Sequence, residues 1–167
     1  KGDIRAKVPK ADYFASRKID GEFTLLVFDG EEVFSINPGG TVRVGLAWLD
    51  EAKQILVEAG VRSAKIAGEL FIHNEQRRPR VHDVTKIARN PKSEDELSSI
   101  RFAPFDIVEW NGEPPAEEFA STRQSLETTF GSSKLNQPVE TQLVNSSSEI
   151  ERLFTQWVED EDAEGIV

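Results

Sequence analysis

Lys18-Ile19-Asp20-Gly21 lies at the bend between two strand-like runs, Tyr13–Arg17 and Glu22–Phe28. A lysine there, with an aspartate two residues on and then a glycine, is what covalent capture of a nucleotide requires. The amine attacks an α-phosphorus, the carboxylate orients it, and the glycine lets backbone come close. A protonated lysine does not attack; freeing the amine at pH 7 from a pKa near 10.4 costs about 4.6 kcal/mol. The site must lower that cost by burial or nearby positive charge, and Tyr13-Phe14 and Ile19 flank Lys18 with apolar surface. The other reading is a lysine paired with Asp20 across a turn. Chance alone supplies this four-residue pattern in roughly one of twenty-five chains of this size, so its meaning depends on what accompanies it.

The 167 residues suit one domain, or a large part of one, and 38% hydrophobic content with ten phenylalanines supports a folded core. No apolar run approaches the length of a membrane span, and no signal-peptide apolar segment follows Lys1-Gly2-Asp3-Ile4-Arg5. There is no cysteine, hence no disulfide, thiolate metal site or cysteine nucleophile. These features fit a cytoplasmic protein. The chain starts on lysine, contains no methionine and stops on Ile166-Val167 in what reads as a strand, as a piece of a longer protein would.

The net charge of −10 argues against nucleic acid, whose phosphates call for Lys and Arg. Its distribution softens that objection. Residues 1–100 hold 16 basic and 16 acidic side chains; residues 101–167 hold 4 and 14. Arg77, Arg78, Arg80, Lys86, Arg89 and Lys92 cluster within the neutral part, either as a solvated face or as a surface for phosphates.

Outward from the opening stretch, Asp29-Gly30 predicts a two-residue hairpin into Glu31–Ile36, and Asn37-Pro38-Gly39-Gly40 breaks the chain. Trp48–Ala59 has a helical period closed by Gly60, and Ser63–Ile72 is strand-like. Val81–Arg89 predicts a short helix, and Ser93 caps another through Ile100 with Glu96 in capping-box position. Arg101–Trp110 reads as a strand ended by Asn111-Gly112. Pro115–Phe130 reads as a helix and Pro138–Val144 as a strand; Ser147 or Ser148 then caps a helix through Glu159. Glu164–Val167 begins another strand. Hairpins that later mix with helices indicate an α+β fold, antiparallel β-sheets flanked by helices.

Three further segments carry chemistry. Glu69 stands mid-strand in Ala67-Gly68-Glu69-Leu70-Phe71-Ile72, where a carboxylate needs a polar ligand or basic partner, or else a solvent-facing edge. Phe105, in Phe102-Ala103-Pro104-Phe105-Asp106-Ile107-Val108, either stacks on a purine or packs in the core. Glu164, before Gly165-Ile166-Val167, offers a hard oxygen suited to Mg²⁺ on phosphates. His73 and His82 read as surface residues.

In this order the four segments resemble the nucleotidyltransferase motifs of ATP-dependent polynucleotide ligases, whose wider relatives include mRNA capping enzymes. The similarity runs from Tyr13 to the end, with fillers such as Asn111-Gly112 and a helix containing Arg123 and Leu126. It implies an ATP-grasp-like adenylation domain over residues 1–167, cut short at its C-terminal side, with the family's OB-fold domain and motif V lysines outside this chain. It implies Lys18 as the adenylated nucleophile and Asp20 as its orienting carboxylate. Ser16, Ile19 and Gly21 would line the nucleotide site. Glu69 would bind the ribose of AMP, Phe105 would stack on adenine, and Glu164 would serve Mg²⁺. The implied reaction transfers AMP from ATP to the lysine, then to a 5′-phosphate at a nick in double-stranded DNA, and a 3′-hydroxyl finally displaces AMP.

The chain departs from the family pattern at several positions. Phe23 stands where many DNA ligases carry arginine two residues after the motif glycine. Ser35-Ile36-Asn37-Pro38-Gly39-Gly40 lacks the arginine of the usual Ser-Arg-Asn-Gly-like segment. Ser16 replaces a common adenine-reading glutamate, and Ala67 an aspartate often found before Gly-Glu-Leu. Two alternatives therefore stand beside a DNA ligase: an RNA ligase, or a non-catalytic nucleotide-binding domain on a ligase scaffold.

Overall fold

The computed structural model describes residues 11–73, 81–89 and 91–167. The strands of the first half are β1 (Tyr13–Lys18), β2 (Glu22–Phe28), β3 (Val33–Ile36) and β4 (Val42–Arg43), followed by helix α1 (Ala47–Glu58) and β5 (Ala64–Ile72). Helices α2 (Val81–Arg89) and α3 (Glu94–Ser98) lead into β6 (Ile100–Trp110) and α4 (Phe119–Phe130). The chain closes with β7 (Thr141–Val144), α5 (Ser147–Phe154), a π-helical turn at Thr155–Asp160 and β8 (Gly165–Ile166). No helix among the described residues is long and apolar enough to cross a membrane.

Two compact units emerge, each with its own core. Unit one joins the residues up to Ile19 with Val139–Val167; unit two is Asp20–Pro138. In unit one, β1 is the middle strand of an antiparallel sheet ordered β7-β1-β8, with Tyr13 opposite Val144 and Lys18 opposite Gly165. Ala15, Val144, Leu153, Trp157 and Ala163 form its core.

Unit two is a five-stranded antiparallel sheet ordered β4-β3-β2-β5-β6. The period-2 alternation of β5 sends Ala64, Ile66 and Leu70 to one face, all fully buried, against the Trp48, Leu49, Ala52 and Leu56 stripe of α1. Trp48 stacks on Phe102 of β6 with ring centroids 4.9 Å apart. That ring explains Gly68: a Cβ there would meet the Phe102 ring and lie 2.6 Å from the Ala103 carbonyl oxygen.

Several boundaries differ from the sequence reading for local reasons. Asp29-Gly30 belongs to a four-residue connection, since Phe28 pairs with Val33. The Asp29 carboxylate accepts from the Glu31 and Glu32 N–H groups at 3.0 and 2.8 Å, which widens the turn. The two-residue hairpin is instead at Asn111-Gly112, both at positive φ (55° and 84°), as a type I′ turn demands. The helix after Ser93 stops at Ser98 because Ile100 is taken into β6 opposite Ile72. Ser93 caps it as expected, while Glu96 reaches back to the Lys92 N–H rather than that of Ser93. The helix expected from Pro115 begins at Phe119, beyond Pro114-Pro115, where two residues without N–H donors stand in sequence. Ser146, not Ser147 or Ser148, caps α5, accepting from the Glu149 N–H at 3.4 Å. Regular α-helix ends at Phe154, and the wider π-helical turn that follows holds Trp157 in the core.

Glu51 of α1 ties the 133–136 connection to unit two's core. Its carboxylate accepts from the Ser133 hydroxyl at 2.6 Å, the Leu135 N–H at 2.9 Å, the Lys134 N–H at 3.2 Å and Asn136 Nδ2 at 2.9 Å. Burial alone pushes its pKa up, but the four donors outweigh burial and hold it below the ordinary 4.5. A carboxyl more acidic in the folded state contributes stability that is fully present above 4.5 and is lost as pH falls through the lower folded value. Glu51→Gln should therefore flatten the acid limb of a melting-temperature profile below that pH. An unaltered slope would show that these bonds do not couple to proton uptake.

Candidate functional site

The opening tetrapeptide crosses the boundary between the units: Lys18 and Ile19 belong to unit one, Asp20 and Gly21 to unit two. Each half builds its own cluster.

In unit one, Lys18 ends β1 opposite Gly165 of β8, and its ammonium pairs with the Glu164 carboxylate. Two residues far apart in sequence meet because β8 runs antiparallel to β1. The lysine side chain is 46% exposed, contrary to the burial expected from its apolar neighbours. It forms its ion pair with Glu164 rather than with Asp20. Arg17 turns away, pairing with Glu161 and, at 3.9 Å, with Glu140, as strand alternation requires. The Ser16 hydroxyl shares a 2.9 Å hydrogen bond with Thr141 Oγ1, and its backbone exchanges bonds with Val167.

In unit two, Gly21 packs onto β5. A Cβ at Gly21 would lie 2.6 Å from the Leu70 carbonyl oxygen and 3.0 and 3.2 Å from Glu69 Cβ and Oε2. The glycine thus admits the carboxylate of Glu69 to the backbone of the motif. Glu69 is half-buried on the sheet face away from α1, opposite Phe23 of β2 and Ala103 of β6. Phe105 is half-buried too, whereas the core aromatic of β6 is Phe102. Three positions along a strand reverse the face, which explains the difference. Ala67 faces Asp106 and Gly68 faces Pro104, so Phe105 is the extra residue of a β-bulge, a device that re-aims a side chain.

The sequence reading missed Glu22 and Arg43. They form a bidentate pair at 2.6 and 3.1 Å with side chains only 13% and 12% exposed. Asn37 Nδ2 and Thr85 Oγ1 also donate to Glu22, at 3.0 and 3.3 Å. Burial raises the Glu22 pKa, but the bonds from Arg43 and Asn37, with the Arg43 charge, bring it below the ordinary value. The network locks the start of β2, directly after Gly21, to β4, the turn at Asn37 and α2. No local pattern connects positions 22, 37, 43 and 85; only strand pairing does.

Of the basic cluster, Arg77, Arg78 and Arg80 lie outside the described residues, as does the side chain of His82. Lys86 and Lys92 line an open cleft of about 420 Å³ with exposed His73, but Asp83, Asp95 and Glu96 line it too and offset their charge. Among the described residues no three His, Cys, Asp or Glu side chains are grouped to hold a metal. A Mg²⁺ fits Glu164 only in the manner usual for that ion, through one carboxylate with substrate phosphates and water supplying the rest.

No family model and no curated protein matches the sequence. Solved structures do match. One called Pmar-Lig_Pre. aligns with a TM-score of 0.72 at 17% identity, over 96% of this chain and 39% of its own. A structure from a structure-function study of Lig E DNA ligases gives 0.63 at 21% identity, over 96% and 56%. Mycobacterial DNA ligase D complexed with ATP and MES gives 0.62 at 17%, over 93% and 47%. The chain thus spans about two-fifths to just over half of these proteins. At such identities the likeness is one of fold: this chain is α+β, built of antiparallel sheets and helices, and shares its architecture with the nucleotidyltransferase domains of DNA ligases.

Proposed function

We propose that this chain is the adenylation domain of an ATP-dependent DNA ligase. The observation that carries the reading is Lys18 at the end of β1 with Glu164 brought beside it by β8, within a fold shared with DNA ligases. Lys18 Nζ, once deprotonated, attacks the α-phosphorus of ATP. A nitrogen–phosphorus bond forms, the bond from that phosphorus to the bridging oxygen breaks, and pyrophosphate leaves with its electron pair. The proton lost by the ammonium goes to solvent. AMP then passes to the 5′-phosphate of a nick, and the 3′-hydroxyl displaces it to seal the strand.

The remaining roles follow from chemistry and position. Glu69, whose carboxylate lies beside Gly21, accepts from ribose hydroxyls; Phe105, half-buried on the sheet face away from the core, offers a ring face to adenine. Asp20 orients the lysine, while Ser16, Ile19 and Gly21 line the nucleotide. Glu164 would hold Mg²⁺, which when bound would neutralise phosphate charge. With a net charge of −10, the contacts to DNA phosphates need basic surface beyond these residues, such as an OB-fold domain of the same protein. The test is incubation of a protein carrying this chain with Mg²⁺ and labelled ATP. An acid-stable, amine-linked AMP adduct is expected; nucleotide affinity without any adduct would turn the reading to a binding domain.

A second reading, an RNA ligase, is favoured by Phe23 and Ile36 standing where DNA ligases commonly carry arginine. Sealing of nicked DNA against nicked RNA duplexes separates the two.

A further inference from the structure

Two departures from the ligase pattern, Phe23 and Ala67, fall on one face of the five-stranded sheet. Phe23 of β2 faces Glu69 of β5, and Ala67 is two residues along β5 from Glu69, so all three side chains leave the sheet on the side away from α1. Phe105 joins them from β6. Strands β2 and β6 are not neighbours; β5 separates them, which puts their axes about 10 Å apart. The rings of Phe23 and Phe105 nevertheless approach to 6.1 Å between centroids, tilted at 51°. Both lean inward over β5, and two features permit it. The bulge at Phe105 frees that residue from strict register, and Ala67 beneath has no side chain beyond a methyl group.

We propose that Phe23 is a positioning residue for Phe105, and that the two rings together form the platform for the nucleobase. This rests on the ligase reading above. A phenylalanine at a bulge has few cross-strand neighbours to hold its rotamer. The tilted contact with Phe23 supplies one, worth what aromatic pairs of this spacing usually contribute. Phe23 is 42% exposed, so little of its ring is consumed in the core and its free surface extends the apolar area beside Phe105. Arginine at 23 and aspartate at 67 would place opposite charges on this face; Phe and Ala remove both and leave the Glu69 carboxylate opposite Phe23. The ligand chemistry that suits it is a large, flat, neutral ring system, a purine in preference to a pyrimidine.

The experiment is equilibrium binding of ATP and of CTP to the 167-residue chain and its Phe23→Ala, Phe23→Tyr, Phe105→Ala and doubly substituted forms. Thermal melts run alongside. Phe23→Ala should weaken ATP roughly 3- to 10-fold and narrow the preference for ATP over CTP, and Phe23→Tyr should restore both. In the Phe105→Ala background the same Phe23→Ala change should cost less than about 2-fold, because its effect passes through the missing ring. A Phe23→Ala effect of equal size in both backgrounds, or an equal loss for both nucleotides, overturns the proposal and leaves the ligase reading standing. Absence of ATP binding by the unsubstituted chain overturns both. A purely structural role would lower the melting temperature without changing the ratio of the two affinities.

Discussion

Lys18→Arg is expected to abolish incorporation of label from ATP, a loss on the order of 10³-fold or more, with the melting temperature hardly changed. Guanidinium stays protonated at any accessible pH and has no free electron pair to attack phosphorus. It still carries the positive charge that pairs with Glu164 across β1 and β8, so the fold loses nothing essential. Lys18→Ala should lose the adduct equally but also leave Glu164 without its cation. The comparison separates nucleophile from structural ion pair. If label persisted in Lys18→Arg, another amine would be the acceptor. Label that survived both substitutions would sink the assignment of Lys18.

Arg43→Ala should destabilise unit two by about 3 kcal/mol, since it strands a nearly buried carboxylate. Glu22 would keep Asn37 and Thr85 as donors but lose both guanidinium bonds and the charge that offsets burial. For a chain of this length that corresponds to a fall in Tm of roughly 6–12 °C. Arg43→Lys should fall between, because an ammonium cannot present the two parallel N–H groups that the carboxylate accepts. Adding Glu22→Gln to Arg43→Ala should recover part of the loss, by removing the stranded charge. Melts of the single and double forms decide it; additive losses would mean the pair does not act as a unit. The pH dependence has a definite sign. Glu22 is more acidic folded than unfolded, so its contribution is present above 4.5 and disappears as pH drops through the folded value.

How far the candidate site was legible in the chain differs residue by residue. Lys18, Asp20 and Gly21 stand in one short pattern at a strand bend, so neighbouring residues alone suffice to single them out. Glu69 could be found because a carboxylate inside Ala-Gly-Glu-Leu-Phe-Ile breaks an apolar strand. Phe105 was harder, since Phe102 three residues earlier has the same type and packs in the core. Strand alternation over three residues puts the two rings on opposite faces, Phe102 in the core and Phe105 half-exposed. Glu22 and Arg43 left no trace at all, because an ion pair between distant residues has no periodicity to betray it.

The amino-acid sequence by itself determined the α+β class and the location of β2, β5, β6 and α1 to within a residue or two, and it singled out the four candidate segments. Hydrophobic period and turn residues act over a few positions, and those signals are complete within the chain. Tertiary structure decided what each segment touches. It paired Lys18 with Glu164 through the β1–β8 ladder, leaned Phe23 toward Phe105 over Ala67, and buried Glu22 against Arg43. It also divided the opening tetrapeptide between two compact units, which no local pattern marks. Register across strands is set by the simultaneous burial of many side chains and by bulges that shift it by one residue. That is a property of the packed sheet, and no single stretch of sequence contains it.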